Sequence, residues 1–197
     1  AEYDIEMVMT SQEHQSGTDR VAEVIKEIDD VEIIINLQGD EPLVDPNVID
    51  GLVDTFKDTT VHMATVVSRK LRVADLLNPN IVKAILDENM NTIEFKRNIF
   101  DLEIGGVYRH IGMYGFRRNA LFQFTILKQS ERELERSLEQ MRALDHGLPI
   151  RAMIANCDQW AVDTKEDLEK TQMYKQQKKR EVKRLEFHSL DDYLSSL

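Results

Sequence analysis

The stretch VEIIINLQGDEP at residues 31–42 decides the fold class of this chain. Val31 to Leu37 is β-branched and nearly continuous, a pattern typical of a strand covered on both faces in a parallel sheet. A polar run ends the strand. Asp45 followed by Pro46 then predicts a helix, because aspartate can cap a helix and proline is pre-set for its first turn.

Further strands and helices alternate on both sides of this stretch. Upstream, Ile5 to Thr10 predicts a short strand, and apolar spacing after Asp19 predicts a helix. Downstream, the patterns predict strands at 62–68, 81–86, 92–96, 108–117 and 150–155, and one continuous helix over 131–146 that ends at Gly147. The chain is therefore predicted to be an α/β protein, with a mixed insertion formed by the consecutive strands at 81–117.

Composition excludes several classes of function. The chain has 197 residues, and 36 acidic against 25 basic side chains give a net charge of −11, which repels nucleic acid and anionic membranes. Its apolar runs fall far short of the roughly 18 residues that a membrane span needs. A single cysteine, Cys157, permits no internal disulfide, and the N-terminus lacks an apolar signal segment, so we expect a cytoplasmic protein.

Two aspartates are candidates for metal or substrate binding. Asp40 follows the strand at 31–37, and ligands of open α/β sheets gather beyond the carboxyl ends of strands. Mg²⁺ prefers one or two carboxylates together with phosphate oxygens and water. Asp163 likewise follows a short apolar stretch. An acidic turn at Asp40, and a helix cap shared with Thr164 at Asp163, are the alternatives.

Other polar segments could line a ligand site. HQSGTDR at residues 14–20 places hydroxyls, a glycine and a cation at a helix start, where backbone N–H groups bind anions or the polar edge of a nucleotide, although a simple capped loop fits as well. His110 and Tyr114 are four residues apart and would share one face of a regular strand. Glu139 and Gln140 are adjacent on the predicted helix, so one of them should be exposed.

In this order, these segments resemble the sugar-acid cytidylyltransferases, and in particular the CMP-Kdo synthetase family. The resemblance covers residues 5–174 and rests on seven motifs: MT at 9–10 with HQSGTDR at 14–20, NLQGDEP at 36–42, NPN at 78–80 with VK at 82–83, RHIGMYG at 109–115, LEQMR at 138–142, VDT at 162–164, and EDLE at 166–169.

The resemblance implies a three-layer α/β/α nucleotide-diphospho-sugar transferase fold with a small mixed dimerisation lobe, and a homodimer. It implies that residues 1–174 form the cytidylyltransferase domain. The helix predicted after Thr164 becomes strongly basic, so residues 175–197, which the resemblance does not cover, are predicted to be a basic helical tail. The family normally begins with a strand and a glycine-containing loop that cradles the triphosphate, and this chain starts after both. The sheet is therefore expected to lack its first strand.

The implied reaction joins CTP and Kdo (3-deoxy-manno-octulosonate) to give CMP-Kdo and pyrophosphate for lipopolysaccharide synthesis. By motif matching, Asp40 and Asp163 would be the catalytic Mg²⁺ ligands. The residues near the nucleotide would be Ser16, Gly17, Arg20 and Gln38, and those around the sugar would be His110, Tyr114, Glu139 and Gln140.

The sequence departs from the family at residues 95–98, where Phe-Lys-Arg-Asn replaces the usual Phe-Ser-Arg run with its following proline. Two alternatives therefore stay open. The first is a cytidylyltransferase for another acidic sugar, and the second is a non-catalytic binding or dimerisation module.

Overall fold

The computed structural model describes residues 6–100, 105–156, 161–162 and 164–177. Its strands are β1 (Ile33–Leu37), β2 (Met63–Ser68), β3 (Lys83–Leu86), β4 (Thr92–Lys96), β5 (Val107–Arg117) and β6 (Ile150–Ala155). Its helices are α1 (Gly17–Lys26), α2 (Pro46–Asp54), α3 (Arg118–Ile126), α4 (Glu131–Arg136) and α5 (Gln140–Asp145), followed by α6 at 165–177. Short 3₁₀ turns lie at Thr55–Lys57 and Val73–Leu77.

The longest strand, β5, organises a mixed sheet of six strands within these residues. Antiparallel β2 pairs along one edge of β5, with parallel β6 outside it. The other edge of β5 is shared, because β1 pairs with residues 113–117 and β3 pairs with 107–109, with β4 outside β3. Residues 110–112 are left between the end of β1 and the start of β3, and we call this gap the fork of the sheet.

Helices cover both faces of the sheet. Every residue of β2 is buried, because its side chains alternate between two apolar clusters. Met63 and Val67 pack in the cluster that contains α1 and α3, whereas Ala64 and Val66 pack in the cluster that contains α2. This is the three-layer α/β/α arrangement that the family resemblance implies.

Local sequence explains where α1 and α2 begin. The Ser16 hydroxyl caps α1 by accepting a hydrogen bond from the backbone N–H of Asp19 at 3.2 Å. The Asp45 carboxylate caps α2 by accepting from the N–H of Asn47 at 2.9 Å, and Pro46 occupies the first turn. Each cap satisfies a backbone donor that the helix itself leaves unpaired.

Two strand predictions are wrong. β1 is antiparallel to β5, so the predicted parallel direction is wrong. The strand is nevertheless covered on both faces, because Ile34 packs in the cluster that contains α1 and α3, and Ile33 and Ile35 pack against the cluster that contains α2. Residues 6–10 of the strand predicted at Ile5 to Thr10 are irregular, and residue 5 lies outside the described residues. Met7 and Met9 are 82% and 94% exposed. A strand forms only against a partner, and none of the strands above pairs with this segment.

The predicted continuous helix over 131–146 is also wrong, because it is broken into α4 and α5. Ser137 ends α4 in the left-handed conformation, at φ 52°. The periodic leucines gave no sign of this break, and one of them, Leu134, is 60% exposed.

The strands predicted as a mixed insertion continue the same sheet, since β3 pairs with β5. Of the basic tail predicted at 175–197, residues 175–177 belong to α6 and 178–197 lie outside the described residues, so the division into domain and tail stays a prediction. Among the helices that the structure describes, none combines the length and apolarity needed to cross a membrane.

Candidate active site

A cavity of about 480 Å³ opens at the fork of the sheet. Its floor is β5, one wall is the end of β1 with the start of α1, and the opposite wall is the break between α4 and α5. Seven of the ten residues singled out from the sequence line it: Ser16, Gln38, Asp40, His110, Tyr114, Glu139 and Gln140.

Two glycines leave room for the side chain of Gln38. A Cβ atom on Gly17 would lie 3.2 Å from Gln38 Nε2, and one on Gly112 would lie 3.5 Å from Gln38 Cγ. The backbone N–H of Gln38 donates to the Gly112 carbonyl at 3.3 Å. Gly17 is therefore at the site because the start of α1 must approach Gln38 closely.

A chain of hydrogen bonds joins the predicted nucleotide side to the predicted sugar side. Gln38 Nε2 donates to Asn36 Oδ1 (3.4 Å), and Asn36 Nδ2 donates to Thr18 Oγ1 (3.1 Å). Thr18 Oγ1 then donates to Glu139 Oε1 at 3.0 Å. Burial raises the pKa of the Glu139 carboxyl, and hydrogen bonds from Thr18 and Ser16 oppose this rise because they favour the charged form.

His110 and Tyr114 lie side by side, with ring centroids 5.5 Å apart. The strand between them is not regular, because the β2–β5 register shifts there. Thr65 Oγ1 lies 2.9 Å from His110 Nε2 and also donates to the Met113 carbonyl at 2.9 Å. Desolvation lowers the pKa of His110 to about 3, so the ring is neutral at pH 7, and burial raises the pKa of Tyr114 well above its usual value.

The α4–α5 break places both Glu139 and Gln140 in the cavity. Glu139 is the N-cap residue of α5 and is half-buried, while Gln140 is only 2% exposed. The expectation that one of them is exposed is wrong, since it assumed an unbroken helix.

Two arginines support this wall. The Arg97 guanidinium donates to the carbonyls of Arg136 at 2.8 Å, Ser137 at 3.1 Å and Pro79 at 2.9 Å. Arg142 is 1% exposed and donates to Glu133 Oε1 at 2.6 Å and to Asp19 Oδ1 at 3.2 Å, which ties α5 to α4 and α1.

Asp40 has the features of a cation ligand. Its Oδ1 atom is buried and has no hydrogen-bond partner among the described residues, which is costly for a carboxylate unless a cation compensates. The Asp40 carbonyl accepts from the backbone N–H of Val162 at 2.8 Å, so the chain returns to Asp40 immediately before position 163. Asp163 itself lies outside the described residues.

The donor at Asp40 that the structure describes is a carboxylate oxygen, which is a ligand that Mg²⁺ accepts. In the parts of the chain that the structure describes, no three His, Cys, Asp or Glu residues cluster as a complete metal site. Mg²⁺ needs only one or two protein carboxylates when phosphate oxygens and water supply the other ligands.

Arg20 is placed differently from the other predicted residues. It is not among the cavity-lining residues, and its guanidinium donates to Thr10 Oγ1 at 2.9 Å and to the Ser11 carbonyl at 2.7 Å. Its position supports the segment that precedes α1.

Sequence reasoning missed three polar residues of the site. Thr18 and Asn36 lie inside the quoted motifs, so their polar side chains beside a strand end were an available signal. Thr65 offered no such signal in the sequence, because it lies in an apolar strand and its partner His110 is 45 residues away.

Comparison with known proteins agrees with this architecture. The profile of a family described as Cytidylyltransferase matches residues 1–150. The 3-deoxy-manno-octulosonate cytidylyltransferase of Thermodesulfovibrio yellowstonii is 40% identical over 179 residues, which cover 82% of this chain and 70% of that protein. The enzyme of the same name from Myxococcus xanthus is 41% identical over 170 residues, covering 84% of this chain and 69% of that protein.

Solved structures give the same result. A CMP:2-keto-3-deoxy-manno-octonic acid synthetase complexed with CTP is 32% identical, with a TM-score of 0.78, and the match covers 87% of this chain and 72% of that one. A 4-diphosphocytidyl-2C-methyl-D-erythritol synthase from Anaerococcus prevotii, with 13% identity and a TM-score of 0.52, shares the fold alone. The chain belongs to the cytidylyltransferase family, within the group of 3-deoxy-manno-octulosonate cytidylyltransferases.

Proposed function

We propose that the protein transfers the cytidylyl group of CTP to Kdo, releasing pyrophosphate and supplying CMP-Kdo for lipopolysaccharide synthesis in the cytoplasm. The observation that carries this proposal is the single cavity at the fork, which gathers residues from five separate sequence motifs of the family. Relatives of the same name and a neighbour with bound CTP support the choice of both substrates.

The reaction is a direct displacement at the α-phosphate of CTP by the anomeric hydroxyl of the sugar. It needs no covalent enzyme intermediate, so positioning of the two substrates can supply much of the rate. Ser16 and Gly17 at the start of α1, together with Gln38 after β1, would bind the nucleotide, with Arg20 supporting this region. The opposite wall, with Glu139 and Gln140, would orient the sugar together with His110 and Tyr114.

We propose further that Asp40 and Asp163 hold Mg²⁺. When bound, the ion would neutralise the negative charge that develops on the phosphate oxygens. The unpaired Oδ1 of Asp40 supports this role, as does the hydrogen bond that brings Val162, the neighbour of Asp163, to the Asp40 carbonyl.

The direct test incubates the purified protein with CTP, Mg²⁺ and Kdo and measures pyrophosphate and CMP-Kdo. Product should require all three components and should disappear when EDTA is added. Parallel reactions with other acidic sugars compare the substrate alternatives, and titration calorimetry with CTP tests the non-catalytic alternative. If the protein neither forms product nor binds CTP, the proposal is rejected.

We also propose that the protein is a homodimer. Four large apolar side chains between residues 73 and 100 are exposed: Val73, Leu77, Ile93 and Phe100. The N–H of Ile99 donates to the Leu76 carbonyl at 2.9 Å, which brings two of these segments together. Light scattering should give twice the chain mass for the wild type and a shift toward monomer for Phe100→Ser.

A further inference from the structure

Thr65 lies where the sheet is irregular beside the cavity. It pairs with Tyr114, whereas the next residue of β2, Val66, pairs with Ile111. Two residues of β5, Gly112 and Met113, therefore have no partner on β2. The Thr65 hydroxyl, which is buried, compensates for this by donating to the Met113 carbonyl at 2.9 Å.

This hydrogen bond fixes the direction of the next one. A threonine hydroxyl has one proton and a carbonyl oxygen can only accept, so the Thr65 proton is already used. The 2.9 Å contact between Thr65 Oγ1 and His110 Nε2 must then be a bond in which the ring donates. Nε2 therefore carries a proton.

The rest of the ring's surroundings keep it neutral. Phe95 meets His110 edge-on at 5.0 Å between ring centroids, and Tyr114 lies at 5.5 Å on another side. Desolvation lowers the pKa of His110 to about 3. In a neutral ring with Nε2 protonated, Nδ1 has a free lone pair and can only accept a hydrogen bond.

We infer that Thr65 is a positioning residue, which fixes His110 as the neutral Nε2–H tautomer and so makes Nδ1 a hydrogen-bond acceptor for a hydroxyl group of the sugar. This inference rests on the proposed function for the identity of the ligand, and on the Thr65–His110–Met113 geometry for the tautomer. His110 then binds a hydroxyl group of the sugar. Other groups bind the negative charges of the sugar carboxylate and of the phosphates.

The tautomer can be tested without substrate. Long-range ¹H–¹⁵N spectra of the labelled protein at pH 7 distinguish the two ring nitrogens, and the His110 signals are those lost in His110→Gln. We expect a neutral ring protonated at Nε2 in the wild type and in Thr65→Ser. In Thr65→Val, which has the same shape without the hydroxyl, the tautomers should become mixed. A ring protonated at Nδ1, or a charged ring, in the wild type would overturn the inference.

The consequence for the sugar is tested by kinetics on the same variants. With the tautomers mixed about equally, only about half of the protein presents Nδ1 as an acceptor, so Thr65→Val should raise KM for Kdo by about 2-fold. KM for CTP should be unchanged and Thr65→Ser should resemble the wild type. An unchanged KM for Kdo in a folded Thr65→Val protein, or an equal rise for CTP, would overturn the assignment to the sugar.

Failure of the proposed function can be distinguished from failure of the inference about His110. A wild-type protein that does not turn over CTP and Kdo rejects that function, while its spectra still decide the tautomer. Addition of Kdo to the labelled protein then decides the ligand. A selective shift of His110 Nδ1 supports sugar binding, and no shift at saturating Kdo overturns it.

Discussion

At the scale of single residues, the site contains a buried polar atom that lacks a hydrogen-bond partner. Asp40 has a buried oxygen, Oδ1, without a partner among the residues described. A cation that arrives with the substrate would compensate this oxygen, and this is the metal role that we propose for Asp40.

Asp40→Asn should reduce metal-dependent turnover by about 10²-fold or more, because electrostatic stabilisation of the transition state is lost. Its melting temperature should stay the same or rise, since the buried oxygen without a partner then no longer belongs to a charged group. Steady-state assays and thermal unfolding measure the two effects. The matched control is Asp50→Asn, which removes an exposed carboxylate on α2 and should change neither. Wild-type turnover in Asp40→Asn would refute the metal role.

A second residue-scale prediction concerns packing behind the fork. A Cβ atom on Gly115 would lie 2.6 Å from Phe56 Cε2, and Phe56 is buried. Gly115→Ala should therefore lower the free energy of unfolding by about 1–3 kcal/mol, as measured by urea denaturation. Gly39→Ala is the control, because a Cβ there meets nothing within 4 Å. Equal stability of the two variants would contradict the packing account.

Several site residues could be predicted from local sequence, because the end of a strand and the start of a helix each have a recognisable residue pattern. Ser16 and Asp40 stand at such positions, and the structure places both in the cavity. Thr65 could not be predicted, since its role depends on a register shift in another strand.

At the scale of elements, the break between α4 and α5 determines the shape of the cavity wall that carries Glu139 and Gln140. The apolar spacing across 131–146 is that of one helix, and no glycine or proline interrupts it. The break is instead stabilised by a distant residue, because Arg97 binds the carbonyls of Arg136 and Ser137. A contact 39 residues away in sequence leaves no local signal.

Arg97→Met should loosen this wall. The side chain keeps its apolar stem but loses the donors to three carbonyls, so KM for Kdo should rise several-fold while KM for CTP stays the same. Stability should fall by about 1 kcal/mol, because the carbonyls can still bind water. Arg69→Met, at an exposed position after β2, is the matched control. Equal effects on both substrates would show that Arg97 does not act through the α4–α5 wall.

At the scale of the whole molecule, the α/β fold class could be predicted from the alternation of strands and helices, and the three layers from the resemblance to a known family. The strand directions could not be predicted from either pattern. The β-branched run at β1 is compatible with either direction, and its antiparallel pairing follows from the path of β5, about 80 residues further along the chain.

The stability of the whole molecule should depend on the protonation of His110. Its folded pKa of about 3 lies below the usual value of 6.5, so the unfolded chain binds more protons between these values. Stability therefore falls as pH falls through this range, by at most about 1.4 kcal/mol per pH unit from this group. The raised pKa of Glu139 acts in the opposite direction, because the folded state protonates first.

His110→Gln should make the free energy of unfolding less dependent on pH between 6 and 4.5. Urea denaturation at a series of pH values measures this slope. The control is His62→Gln, at an exposed position that should keep the wild-type slope. Parallel slopes in the wild type and His110→Gln would show that His110 titrates normally in the folded protein.

The central claim is that Asp40 and Asp163, 123 positions apart in the sequence, hold one divalent ion beneath the phosphates of CTP. The most direct measurement is a crystal structure of the protein with CTP and Mn²⁺, using anomalous scattering to locate the metal. The account predicts a metal peak within bonding distance of a carboxylate oxygen of each aspartate and of a phosphate oxygen. A peak that either aspartate fails to contact would contradict it.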